Sequence, residues 1–157
     1  LERILISSAD QGIFLAQLAK ASLQFRPPIG FFRQIKKDDG GVDIKKGGIA
    51  PIVSLARVYA LEARSLAKGT VERLQAAARE NKLSQDGAET LIEAFGFLMR
   101  LRLREQLACL RRGEPPSNKV PLESLSPLER RHLKEALLQV REMQEAMSHR
   151  FHTDRLG

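Results

Sequence analysis

The segment 126–152 constrains the fold more than any other part of the chain. It opens with Ser126-Pro127-Leu128-Glu129, a capping box with proline at the first helical position, which is a specific signal for a helix start. The apolar residues that follow recur at helical spacing and form one face: Leu133, Ala136, Leu137, Val140, Met143, Met147 and Phe151. A long helix with one apolar face has to be covered by other helices, so the segment favours a helical bundle.

Further helices of the bundle are expected over 49–113. Ser84 is a good N-cap for a long helix that we expect to stop at Gly113, because glycine commonly ends helices. A short helix is expected from Thr70 to about Lys82. These segments are joined by short connections, which indicates antiparallel neighbours.

The helix expected over 49–68 has an unusual distribution of apolar residues. They spread almost all the way around the helix, which indicates the most buried helix of the fold. Pro51 fits its first turn, and Gly47-Gly48 ends the segment before it. A further helix or two are expected over 1–26, stopping at the two prolines that follow.

Two short alternating segments, Phe31–Ile35 and Val42–Lys45, are the strand candidates. Two aspartates and two glycines between them form a turn signal, so we expect a hairpin over 30–46. Residues 114–125 have the composition of a linker. The predicted fold is mainly α, an antiparallel helical bundle with a small β-hairpin before the central helix, in a single helical domain over 1–157.

The composition excludes several classes of protein. The chain has 157 residues, 43% of them hydrophobic, a net charge of +7 and one cysteine, which excludes a disordered chain and a disulfide scaffold. It contains no apolar run of the roughly 20 residues that a membrane span needs and no signal peptide, so we expect a cytoplasmic protein without a membrane partner. Because the chain begins at Leu1 rather than Met, we expect it to be a fragment of a longer protein.

The residue patterns of a self-contained active site are missing from the sequence. None of the six aspartates forms the Asp-x-Asp pair that two-metal phosphoryl transfer favours, and there is no glycine-rich phosphate loop. Cys109 falls on an apolar helix face and is interpreted as a small core residue. His149 and His152 have no patterned acidic or cysteine ligand near them, so we expect neither a metal site nor a catalytic residue.

Two positions are candidates for anion binding. Lys45, Lys46 and Gly47-Gly48 precede the buried helix, where free N–H groups and the helix dipole would suit an anion. The alternative is a glycine turn with solvated lysines. The core-facing apolar arc expected for the long helix includes Met99 and Leu110. Arg102 and Gln106 fall within this arc, where they would hold a phosphate or a carboxylate.

The alternative for Arg102 and Gln106 is a buried polar pair that locks helices together, with Glu62 or Gln144 as partner. Three further arginines of the same helix share one side and follow acidic residues of its first turns: Arg100, Arg104 and Arg111. Acidic residues at the start and basic residues at the end of a helix complement its dipole, so a solvated stripe is the default interpretation. An acidic partner surface is the alternative.

Several motifs resemble those of one family, and they run in order from about Phe14 to Phe151. The motifs are Val42–Val53, Ala56-Arg57-Val58, Ala60-Leu61, Leu101–Leu107, Pro116-Ser117-Asn118, Leu125–Arg130 and Leu133-Lys134. They are similar to the helical substrate-binding domain of bacterial signal-transduction nucleotidyltransferases, which resemble PII-protein uridylyltransferase. The resemblance implies that the catalytic Asp-x-Asp elements belong to an upstream domain. It also implies substrate-facing roles for Lys45, Arg57, Arg102, Gln106 and Asn118.

The family resemblance also sets the expected partners and cofactors. It implies an upstream nucleotidyltransferase domain that uses Mg²⁺ and a nucleoside triphosphate, sensory CBS or cyclic-nucleotide-binding domains, and an acceptor protein. The fragment itself is expected to be non-catalytic and to hold no cofactor. The alternative function is a regulatory protein-protein interaction module that relays signals from the sensory domains. Nucleic-acid binding is disfavoured, because no strand carries an aromatic and basic platform.

Overall fold

Five α-helices and a small antiparallel sheet make up residues 8–155, which are the residues that the structure, a computed structural model, describes. The part of the predicted N-terminal helix before Ser8 lies outside them. The elements in chain order are α1 (Ser8–Ser22), β1 (Val42–Asp43), α2 (Ala50–Glu62), α3 (Thr70–Arg79), α4 (Gln85–Arg111), β2 (Lys119–Val120) and α5 (Pro127–Phe151). The helices pack together around one hydrophobic core. The predicted mainly α fold is therefore confirmed.

The two longest helices begin at the predicted caps. The Ser84 hydroxyl accepts a hydrogen bond from the Gly87 N–H at 3.0 Å and so caps α4. At the start of α5, the Ser126 hydroxyl accepts from the Glu129 N–H at 3.1 Å, and the Glu129 carboxylate accepts from the Ser126 N–H at 2.9 Å. This is the reciprocal pair of bonds that the capping box predicts.

Helices α2 and α3 end a few residues before the predicted positions. Each ends in a Schellman motif built on a non-glycine residue with positive φ, Arg64 in one case and Asn81 in the other. The Ser65 N–H bonds to Ala60 O at 2.9 Å, and the Lys82 N–H bonds to Ala77 O at 2.9 Å. A sequence search for glycine cannot find these ends. Helix α4, in contrast, ends at a glycine with positive φ, Gly113, as predicted.

The predicted hairpin over 30–46 is wrong in its pairing. Val42 pairs with Val120 and Asp43 with Lys119, so β1 joins β2 from the predicted linker 114–125. Phe31–Ile35 instead closes on itself in a tight loop, in which the Gly30 N–H bonds to Gln34 O at 2.8 Å. The backbone groups of this loop bond within the loop rather than to β1. Strand β1 therefore pairs with another segment of the chain.

A π-helical turn, Lys45–Ile49, connects β1 directly to α2. Its two glycines are buried and lie close to their neighbours. A Cβ on Gly47 would lie 2.5 Å from Pro28 Cδ, and one on Gly48 would lie 2.6 Å from Leu98 Cδ1. The glycines therefore allow this turn to pack tightly between the N-terminal loop and α4.

The buried face of α4 is rotated relative to the predicted one. The core side includes Leu98, Leu101 and Glu105, whereas Met99 and Leu110, which were expected in the core arc, are exposed. The reason is that α4 carries apolar residues on two sides, so its hydrophobic pattern does not select one face. Helix α5 buries the predicted face, with Met143 and Phe151 half-buried at its edge.

Candidate functional site

We call the antiparallel pair of strands β1 and β2 the β ribbon. The β ribbon, the π-helical turn and α4 meet at Asn118, just before β2. The Ile44 N–H donates to Asn118 O at 3.2 Å, and Arg102 Nε donates to Asn118 Oδ1 at 2.8 Å. The fold thus places two predicted site residues in direct contact, next to the residue that precedes Lys45. We call the group formed by Arg102, Asn118 and the two lysines of the adjoining π-helical turn, Lys45 and Lys46, the ribbon junction.

Arg102 is half-buried, and its side chain is held by the bond to Asn118. Its terminal Nη nitrogens bond to no described residue, so they remain available as donors to an anion. The structure contradicts Glu62 and Gln144 as partners. Glu62 Oε1 accepts from Arg150 Nε at 3.1 Å, and Gln144 Nε2 donates to the Phe25 carbonyl at 2.8 Å.

Lys45 and Lys46 lie on the exposed side of the π-helical turn. Neither side chain bonds to a described residue, and the Lys46 backbone N–H donates to Asp43 Oδ1 at 2.9 Å. Asp43 therefore occupies one of the N–H groups that an anion at this helix start would use. The neighbouring glycines are buried by packing, so at this position the lysine side chains are the groups that can reach a ligand.

The other two candidates are less closely tied to the ribbon junction. Gln106 is half-buried one turn after Arg102, on the same side of α4, and bonds to no described residue. Arg57 is exposed on α2 and forms no ion pair with a described residue. The structure thus brings Arg102 and Asn118 together and bonds Asn118 to Ile44, the residue before Lys45, whereas Arg57 has no such link.

The arginine stripe on α4 is divided by the fold. Arg104 Nη1 donates to Glu129 Oε1 at 2.6 Å, which ties α4 to the capping box of α5. Hydrogen bonds from the Arg104 guanidinium and from the Ser126 N–H lower the pKa of the Glu129 carboxyl to about 2. Arg100 and Arg111 have no partner within the described residues, so they are the arginines left for another molecule.

A family profile described as "Putative nucleotidyltransferase substrate binding domain" matches residues 12–151. This match covers most of the chain, from within α1 to the end of α5. The chain belongs to this family. No curated protein and no solved structure matches it.

The substrate-binding domain has two features that the sequence did not reveal. Phe31 and Phe32 were expected in a strand, but they form the tip of the loop after α1, with 91% and 82% of each residue exposed. Their rings pack edge to face with centroids 5.2 Å apart. The signal was present, since two adjacent aromatics follow a proline-rich stretch and a glycine, but the alternation of the segment favoured a strand.

The second missed feature is Glu105, a charged residue on the buried face of α4. Its carboxylate lies 3.3 Å from Arg112 Nη2, and the thiol of the buried Cys109 lies 3.5 Å from the same oxygen. Cys109 is therefore a core residue, as predicted. These contacts hold Arg112, which ends α4, against a residue two turns earlier in the same helix, and they need no ligand.

Within residues 8–155 of the substrate-binding domain, no group of three or more His, Cys, Asp or Glu side chains could hold a metal ion. His149 and His152 are exposed near the end of α5, and His152 ends that helix with a positive φ. His132 is exposed and stacks on Phe97, with ring centroids 3.9 Å apart. No helix of the described region is long and apolar enough to cross a membrane.

Proposed function

We propose that this domain closes over the active site of an upstream, uridylyltransferase-like nucleotidyltransferase domain in a cytoplasmic bacterial signalling protein. It would shape the pocket for the nucleotide or for the acceptor protein, and it would be non-catalytic by itself. The family membership supports the substrate-binding role. The single observation that carries the assignment of the site is the Arg102 guanidinium, which is fixed by Asn118 and keeps its terminal nitrogens free.

The chemistry of the ribbon junction fits a phosphate. A guanidinium held at Nε presents its remaining N–H groups as a planar fork, which matches two oxygens of a phosphate. The two lysines of the adjoining π-helical turn would add positive charge without needing a fixed geometry. Asn118 acts as a positioning residue, because it orients Arg102 through its side-chain oxygen and anchors Ile44 through its backbone oxygen.

The substrate would reach this surface together with Mg²⁺ bound by the catalytic domain. The ribbon junction offers cationic groups, which suit the phosphates and not the metal ion. Gln106 and Arg57 lie outside the bonded group and would contact more distant parts of a substrate, such as the base or the acceptor protein. In this proposal the parent protein supplies the metal ligands, and the helical domain supplies charge and shape.

The proposal can be tested by titrating the 157-residue chain with a nucleoside triphosphate and Mg²⁺ in a calorimeter. We expect binding that Arg102→Ala and Lys45→Ala each weaken by about tenfold, because a charged hydrogen bond contributes roughly 1.5 kcal/mol. Arg131→Ala, which removes an exposed arginine of α5, is the matched control and should bind like the parent. If the Arg102 and Lys45 variants also bind like the parent, the ribbon junction is structural.

An activity assay tests whether the chain is non-catalytic without the upstream domain. We expect the isolated chain to show no nucleotidyl transfer with Mg²⁺ and any nucleoside triphosphate, and we expect Asn118→Ala to weaken nucleotide binding in the same direction as Arg102→Ala. Robust transfer by the chain alone would contradict the proposal.

The alternative is a regulatory interaction module that relays signals from CBS or cyclic-nucleotide-binding domains. The Phe31–Phe32 tip favours it, because two aromatic rings this exposed are typical of a docking point. The test is association with the upstream part of the parent protein. Loss of association in Phe31→Ser, with no effect of nucleotide and no effect of the control Leu66→Ser, would favour the alternative.

A further inference from the structure

Helix α4 has a second apolar face that nothing in the described structure covers. Leu103 and Leu110 are 57% and 58% exposed, and Leu107 and Met99 are 45% and 37% exposed. Gly96 and Ile92, which is half-buried against the core, continue the same side toward the start of the helix. We call these six residues the α4 seam. Four large apolar side chains in successive turns are more than isolated exposed residues, and such a patch is typical of an interface.

The spacing of the seam is that of a coiled coil. Ile92, Gly96, Met99, Leu103, Leu107 and Leu110 follow one another in steps of three or four residues. This pattern keeps the seam facing one partner helix along most of α4.

The two halves of the α4 seam differ in shape. Beside Ile92, a groove of about 550 Å³ runs between α3 and the first half of α4. Its lining residues are Gln75, Arg79, Gln85, Ala88, Glu89, Ile92 and Glu93. The second half of α4 instead presents Leu107 and Leu110 as a ridge. An antiparallel second copy would place its ridge over this groove, which a parallel copy would not.

The charges beside the seam also favour an antiparallel arrangement of two α4 helices. Glu93 lies on one flank in the first half of α4, and Arg100 lies on the same flank just past the middle. Neither has a partner among residues 8–155. Arg100 lies over Gly96, since a Cβ at that glycine would be 3.4 Å from Arg100 Nη1. An antiparallel pair of helices brings equivalent flanks together, so that each Glu93 faces an arginine of the other helix.

We propose that a second copy of this chain covers the α4 seam, with the two α4 helices antiparallel about a two-fold axis close to residues 97 and 98. In this register Ile92 of each copy packs against Leu103 of the other, and Gly96 packs against Met99. Leu107 and Leu110 enter the groove beside α3, and Glu93 pairs with Arg100 twice per dimer. An isologous interface has to be self-complementary, and shape and charge both meet this condition.

The mass of the 157-residue chain in solution tests the proposal. Sedimentation velocity at tens of micromolar protein should give a dimer of the 17.6 kDa chain. Leu103→Glu should give a monomer with an unchanged helical circular dichroism spectrum, because it places a charge in the seam. Leu128→Glu is the control, since Leu128 is 68% exposed on α5 and should leave the dimer intact. A monomeric parent chain, or a dimer that Leu103→Glu does not affect, overturns the proposal.

A charge exchange identifies the register. Glu93→Arg and Arg100→Glu should each raise the dissociation constant of the dimer by about tenfold, because each puts two pairs of like charges across the axis. Mixing the two variants in equal amounts should restore the parent constant, since the mixed dimer pairs Arg with Glu on both sides. A mixture that stays as weak as the single variants overturns the antiparallel register. Binding of a different protein to the seam of a monomeric chain would overturn the proposal altogether.

Discussion

Gly47 offers a sharp test of how closely the π-helical turn approaches the N-terminal loop. A Cβ at this position would lie 2.5 Å from Pro28 Cδ, an atom of a rigid ring. Gly12 in α1 is the matched control, because a Cβ there meets nothing within 4 Å and the residue is exposed. Gly12 lies in an α-helix and Gly47 in the π-helical turn, and at both positions alanine loses less backbone freedom on folding than glycine does.

The two substitutions should change the free energy of unfolding in opposite directions. Alanine is favoured over glycine in a helix by about 1 kcal/mol, so Gly12→Ala should stabilise the domain by up to that amount. At Gly47 the same gain is opposed by overpacking, which typically costs about 1–3 kcal/mol. Gly47→Ala should therefore range from neutral to about 2 kcal/mol destabilising, and it should be less stable than Gly12→Ala by about 1–3 kcal/mol.

The assay is urea unfolding followed by circular dichroism, with both variants compared with the parent chain at the same concentration. Pro28→Ala removes the ring that the new methyl group meets. In that background Gly47→Ala should lose its penalty and approach the effect of Gly12→Ala. If Gly47→Ala stabilises the parent chain as much as Gly12→Ala does, the turn does not approach the loop and the explanation given for the buried glycine is wrong.

Three further predictions concern α5 and its contacts. Ser126→Ala should lower the free energy of unfolding by about 1 kcal/mol in urea titrations, because the capping bond to the Glu129 N–H is lost. The lowered pKa of Glu129 favours the folded state above about pH 4.5, and this contribution disappears as the pH falls toward 2; the melting temperatures of Glu129→Gln and the parent should therefore differ at pH 7 and converge in acid, whereas a constant difference would contradict the role of Arg104. Leu137→Ala, at a fully buried position, should cost about 2–5 kcal/mol, whereas Leu128→Ala should stay within about 0.5 kcal/mol of the parent.

The sequence predicted the parts of the fold that local signals encode. Ser84 and Ser126 mark their helix starts because the side chain that caps a helix is adjacent to it in sequence. Gly113 also marks a helix end locally, because glycine adopts the positive φ of this position without steric strain. Arg64 and Asn81 adopt the same conformation without being glycine. Asparagine favours this conformation more than most residues do, whereas nothing local distinguishes Arg64 from an ordinary helical residue.

Other parts of the fold depend on contacts that no local pattern contains. The alternation of Val42–Lys45 predicted an extended segment correctly at β1, but it carried no information about the strand that pairs with it. Arg102 was identified as a polar residue that needs a partner, yet Asn118 becomes that partner only because the chain folds back after α4. The second apolar face of α4 made its buried side ambiguous, and the packing of α3, α5 and the π-helical turn against this helix selects the side.

The β ribbon has a consequence for the order of folding events. Val42 pairs with Val120, a residue 78 positions later, and the ribbon is two residue pairs long. Closing a loop of this length costs roughly 4 kcal/mol in chain entropy, more than two short strands return on their own. The ribbon should therefore close only after α2, α3 and α4 have packed and brought its ends together. Substitutions in β1 or β2 should accelerate unfolding and leave the folding rate unchanged, which corresponds to φ-values near zero.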